Sequence, residues 1–184
     1  MISLRRFLSP AVILAVAAAG PFAQVASAGP PEPVVPSRIA VEEGNKVYLV
    51  GHAVGVQIYS CNAGPGGYSW GLTPRANLYD DNGKLIMTHF GGPSWQATDG
   101  SKVVAQRVDG VTVDTSAIPW LLLSTVSTSA GPDGDRLGKT TFIQRIATTG
   151  GLPPAAADCN AATVGHVVEV PYTADYYFWK ATGA

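Results

Sequence analysis

Apolar and polar residues alternate with a period of two through most of the chain, the pattern of strands that present one face to a core and the other to solvent. The stretch KVYLVGHAVGVQIYSC, residues 46–61, is rich in β-branched and aromatic residues, and Val54, Val56 and Ile58 alternate there with Gly55 and Gln57. Gly51 and Gly55 interrupt it, which predicts a bend, a bulge or a close backbone approach. Further strands are predicted at YSWGL, RANLYD, KLIMTHF, KVVAQRV, WLLLSTVSTS, TTFIQRIATT, HVVEVPY and DYYFWKA. Turn chemistry separates several of them: Asp81-Asn82-Gly83, Thr98-Asp99-Gly100, Asp109-Gly110 and Pro132-Asp133-Gly134. Helical periodicity is nearly absent, and ADCNAATVG, residues 157–165, has room for one short helix at most.

Trp120 to Leu123 is a continuous apolar run, as expected where a strand is covered on both faces, and alternation resumes at Ser124. Pro119 stands at its start, where a missing donor costs little. This segment is predicted to be the central strand. Many short strands with such punctuation define an all-β fold, an antiparallel sandwich or barrel in one domain over residues 41–184.

Residues 1–28 read as an address. Arg5 and Arg6 form a positive n-region, an apolar run follows from Ala11 to Ala19, and Ala26-Ser27-Ala28 offers a small-residue cleavage site. The apolar run is too short and too alanine-rich for a membrane anchor, since about 20 strongly apolar residues are needed to cross a bilayer. Cleavage after Ala28 predicts a secreted or periplasmic protein with no integral membrane segment. Residues 29–40, dense in proline, read as an extended linker.

Without the leader the chain keeps ten basic and thirteen acidic residues, scattered along its length. That balance gives no electrostatic footprint for nucleic acid or an anionic membrane. Cys61 and Cys159 are the only cysteines. In an exported chain an even pair predicts a disulfide, and only one pairing exists; a free buried thiol or a nucleophile are the alternatives.

Gly67-Tyr68-Ser69-Trp70-Gly71 matches the G-x-S-x-G nucleophile elbow, but a glycine-rich loop precedes it where a buried strand is required and Pro74 follows where a helix should run. Ser69 is therefore expected in a hairpin. His52, His89 and His166 lack the paired spacing of metal ligands, so no metal site is expected. No G-x-G-x-x-G follows a strand, and no βαβ alternation supports a dinucleotide site. No cofactor is expected.

Two stretches concentrate chemistry. HFGGPSWQATDG, residues 89–100, places His89, Trp95 and Asp99 around the turn Gly91-Gly92-Pro93. PYTADYYFWK, residues 171–180, places Asp175 beside four aromatics, with Tyr176 and Phe178 on one face of a strand and Tyr177 and Trp179 on the other. In structural terms Trp95 plugs the core and the flanking residues turn the chain. In functional terms His89, Trp95, Asp99, Asp175, Tyr176 and Trp179 are the candidate binding surface.

HFGGPSWQATDGSKVV, together with GVQIYSC, IPWLLL, TFIQRIATTGGLPP and VPYTADYYFWKA, resembles the exported bacterial and fungal family catalogued as domain of unknown function 3455. The similarity runs in order from about Val47 to Ala181. It implies a secreted single domain and assigns no catalytic residue.

Two function classes follow. The first is a non-catalytic binding or interaction module, with a glycan or a cell-surface component as partner, which predicts exposed aromatics on one face. The second is a small secreted hydrolase or isomerase using His89 with Asp99 or Asp175 as acid and base, which predicts a cleft where these side chains converge. The scarcity of acids and bases in useful spacing favours the first.

Overall fold

The computed structural model describes residues 29–183, and the leader predicted at residues 1–28 lies outside them. Eight antiparallel strands follow one another in chain order around a closed barrel. They are β1 (Asn45–Gly64), β2 (Gly67–Tyr79), β3 (Leu85–Phe90), β4 (Ser94–Ala97), β5 (Lys102–Val111), β6 (Trp120–Ser129), β7 (Phe142–Gly150) and β8 (Val167–Ala181). The seam closes where β8 pairs with β1, from Asn45 opposite Ala181 to Ser60 opposite Val167. Of the two architectures open to the sequence, the barrel forms. YSWGL and RANLYD merge into β2, HVVEVPY and DYYFWKA merge into β8, and SWQA within the expected corner is a strand of its own, hydrogen-bonded to β3 and β5. The ADCNAATVG region holds only the end of a 3-10 turn, Ala156–Asp158. Ser69 stands opposite Asn62 in the β1–β2 hairpin, as its glycine-rich context predicts.

An eight-stranded barrel is just wide enough for side chains to fill it or for one small ligand to enter. Filling requires that bulky groups on one wall meet small ones on another. Trp95, Tyr176 and Phe178 point inward from β4 and β8, and Ala53 and Ala76 belong to the same buried cluster. Gly55 lets β1 and β2 approach closely: a Cβ there would strike the Arg75 carbonyl and Ala76. The alternation expected in β1 is present, and the face that carries Val54 turns outward. Val54 is 60% exposed, whereas Ala53, Gln57, Tyr59 and Cys61 are buried. The inner wall of β1 is therefore built of Ala53, Gln57, Tyr59 and Cys61 rather than of its valines.

The proline-rich segment before β1 lies against the outside of the barrel. Ser37–Ile39 forms a 3-10 turn, and Ile39 is fully buried in a cluster with Leu122 and Ile146, against which Trp120, Phe142 and Tyr177 pack. Gln144 ties the layer together: its Nε2 donates to the Ile39 carbonyl (2.6 Å), and its Oε1 accepts from Trp179 Nε1 (2.9 Å). Arg38 pairs with Asp109 at 2.9 Å. This second layer explains the WLLL run. Leu121 and Leu123 pack with the interior cluster while Trp120 and Leu122 pack with the outer one, so β6 is covered on both faces although a closed barrel has no central strand.

Cys61 and Cys159 form the predicted disulfide, Cα–Cα 5.3 Å, across a sequence separation of 98. Closing a loop of that length stabilises by roughly 5 kcal/mol in the chain-entropy account. The bridge fastens the far end of β1 to the connection between β7 and β8. No helix among the described residues is long and apolar enough to cross a membrane.

Candidate functional site

The β3–β4 turn builds one wall of an internal cavity. Gly92 adopts φ 109°, a conformation that glycine takes without steric cost, and the tight reversal sets His89 directly opposite Trp95 across the two strands. Their rings stack with centroids 4.4 Å apart and planes 11° from parallel. From β8, Tyr176 reaches across the interior to within 5.3 Å of the His89 ring and 5.4 Å of the Trp95 ring.

His89 is 3% exposed, and its Nδ1 lies 2.9 Å from the Ser94 carbonyl oxygen. A carbonyl only accepts, so Nδ1 carries the hydrogen and Nε2 is left with a lone pair. Burial lowers the His89 pKa to about 4, with the nearby Arg145 charge adding to the effect. The ring is therefore neutral at neutral pH.

Gln57, from β1, is 1% exposed and lines the same cavity, yet neither its Nε2 nor its Oε1 has a protein hydrogen-bond partner among the described residues. Trp95 Nε1 is also buried without a partner. Buried amides and indoles are normally satisfied, and leaving one unpaired costs about 1–3 kcal/mol. Arg145, from β7, lines the cavity half-buried, its Nε and Nη2 donating to the Pro119 carbonyl at 3.2 and 2.8 Å. Arg107, from β5, is exposed and also lines the cavity, as does exposed Leu72. The cavity thus runs from the surface to the interior. It has a volume of about 240 Å³, with Pro74, Pro93, Leu121 and Leu123 supplying apolar wall. Among its lining residues there is no aspartate or glutamate. Tyr172 sits behind it with its hydroxyl 3.4 Å from that of Tyr176, which lines the cavity, and burial raises both their pKa values, so both are protonated.

The expected site residues separate into three groups. His89, Trp95 and Tyr176 converge on the cavity. Asp99 instead organises a loop, accepting from Ser101 Oγ (2.6 Å), the Ser101 amide (2.9 Å) and the Arg136 amide (2.9 Å). The Ser101 hydroxyl is the main reason its pKa falls below the usual carboxylate value. Asp175 faces outward and meets His52 Nδ1 at 2.7 Å, while His52 Nε2 meets Asp81 at 2.8 Å. The hydrogen bonds to Asp81 and Asp175 raise the His52 pKa. Trp179 lies under the N-terminal segment, bonded to Gln144. His89 is thus partnered by a carbonyl, and Asp99 and Asp175 are engaged elsewhere. No group of three or more His, Cys, Asp or Glu with metal-holding geometry occurs among the described residues.

Gln57, Arg107 and Arg145 are the site residues that sequence reasoning did not single out. Strand parity carried a signal for each: Gln57 shares a face with Ala53 and Tyr59, Arg107 with Val103 and Ala105, and Arg145 with Ile143. A polar residue in phase with the small or apolar face of a strand points inward.

Fold and site together define a small closed β-barrel with an internal cavity of apolar walls and a few convergent polar groups. The chain belongs to the family described as Protein of unknown function (DUF3455), whose model matches residues 42–180. No curated protein and no solved structure matches it.

Proposed function

We propose that this protein is an exported, non-catalytic binding module whose ligand is a small molecule held inside the barrel. The observation that carries the reading is the Gln57 amide, buried on the cavity wall with both polar atoms unpaired beside the unpaired Trp95 N–H. A fold that tolerates this cost gains from it only when a partner enters. The dimensions agree: an apolar cavity of about 150 Å³ takes up benzene, so 240 Å³ admits a molecule of about ten heavy atoms by the same scale. The aromatics support occupancy inside rather than on the surface, because Trp95 and Tyr176 are buried on the cavity wall and Trp179 is covered by the N-terminal segment. The acid–base alternative lacks support, since it pairs His89 with Asp99 or Asp175, and these carboxylates are bonded instead to Ser101 and Arg136 and to His52. Export is favoured by the Cys61–Cys159 bridge, which persists in oxidising compartments.

A thermal-shift screen of acidic, basic and neutral compounds of up to about ten heavy atoms tests the reading, because a ligand of the native state alone raises apparent stability. The expected result is at least one compound that raises Tm with concentration and moves the Trp95 indole N–H resonance. A screen in which no compound does both overturns it.

A further inference from the structure

The charges around the cavity point to what kind of molecule it takes, granted that it is a ligand site. On the outer surface Arg38 and Arg75 each hold a carboxylate, Asp109 at 2.9 Å and Glu169 at 3.0 Å. The two arginines that line the cavity, Arg107 and Arg145, form no ion pair among the described residues, and no lining residue supplies a negative charge. Arg145 is fixed through Nε and Nη2 on the Pro119 carbonyl, with the Tyr176 hydroxyl beside its guanidinium. The other free polar atoms are balanced between donors and acceptors. Gln57 Nε2 and Trp95 Nε1 offer N–H groups, whereas the acceptors are Gln57 Oε1 and the lone pair on His89 Nε2.

We infer that the cavity binds a small organic carboxylate, its head neutralised by Arg145 and Arg107 and its apolar body lying along the Pro93, Leu121 and Leu123 wall. A carboxylate accepts hydrogen bonds and donates none, which suits the guanidinium groups of Arg107 and Arg145, and guanidinium–carboxylate bonds are about twice as strong as neutral ones. A neutral ligand would leave the half-buried Arg145 uncompensated. A compact inorganic oxyanion would satisfy the charges and leave the apolar wall wet.

The test is calorimetric titration of the purified chain with benzoate, benzamide and inorganic phosphate, each on the parent, Arg107→Met and Arg75→Met. Arg107 is exposed, so its removal leaves the fold in place, and Arg75→Met makes the same charge change on the outer surface. Benzoate is expected to bind roughly tenfold or more tightly than benzamide, the worth of one charge-assisted contact, with phosphate weaker than either. Arg107→Met is expected to weaken benzoate several-fold, and Arg75→Met to leave it unchanged. Equal affinity for benzoate and benzamide, phosphate binding as tight as benzoate, or an equal effect of the two substitutions overturns the carboxylate assignment while leaving an internal ligand site standing. No binding by benzoate overturns it too, and the wider screen then decides whether the cavity binds anything.

Discussion

His89 is buried with a carbonyl as its hydrogen-bond partner, and this makes the barrel sensitive to acid. Its pKa is near 6.5 when unfolded and about 4 when folded. Between those values the unfolded chain binds more protons, so stability is complete above pH 6.5 and is lost as pH falls towards 4. The loss amounts to about 3 kcal/mol. His52 works the other way: its raised pKa contributes stability that is present below about pH 6.5 and disappears as pH rises through the folded value. That contribution is small, because the ring is 42% exposed to screening solvent. Urea unfolding from pH 4 to 8 should therefore show stability rising with pH on the acid side in the parent and much less so in His89→Gln. An unchanged slope in the variant would show that another group governs acid lability. His89 and Trp95 were legible as a pair because both lie in one short turn-rich stretch. Gln57 and Arg145 come from strands far apart in sequence, and only the curvature of the barrel brings their inward faces together.

The N-terminal segment shows how one apolar residue gives a proline-rich stretch a place in the packing. Its prolines do enforce an extended chain, but Ile39 carries the segment into a cleft formed by Leu122 and Ile146, and composition alone does not show where an isolated isoleucine docks. The clue lay in β6, whose apolar residues on both faces demanded a second cover. Ile39→Ala should destabilise the barrel by about 3 kcal/mol, the usual loss for a fully buried aliphatic side chain. Denaturant titration checks this, and a change under about 0.5 kcal/mol, the level of a surface substitution, would mean that the segment is a loose linker. The strands were legible from alternation, and the outward turn of the Val54 face of β1 was not. Alternation fixes which residues share a face, while the choice of the inner face depends on what the other seven strands bring inside.

Closure of the barrel depends on pairing between β1 and β8, more than a hundred residues apart along the chain, and local pattern contains no record of it. Sandwich and barrel share the same strands and turns, so the sequence left both open. The disulfide was legible from the count of cysteines alone, and it acts on the whole molecule by restricting the unfolded chain. Reduction should lower the unfolding free energy by roughly 5 kcal/mol, measured as a fall in the denaturant midpoint; an unchanged midpoint would show that the bridge does not constrain the unfolded ensemble. Export is a property of the full chain as well, and expression with the leader should yield protein beginning at Gly29, read by N-terminal sequencing of the exported fraction. Retention of Met1 would contradict the proposed address.

The decisive measurement is urea unfolding of Gln57→Leu beside the parent, with and without a compound that the screen shows to bind. If the amide is kept for a ligand, leucine should raise ligand-free stability by about 1 kcal/mol by removing an unpaired buried group and should abolish the stabilisation by ligand. A less stable variant that still responds fully to the ligand would place Gln57 in the scaffold and the binding site elsewhere.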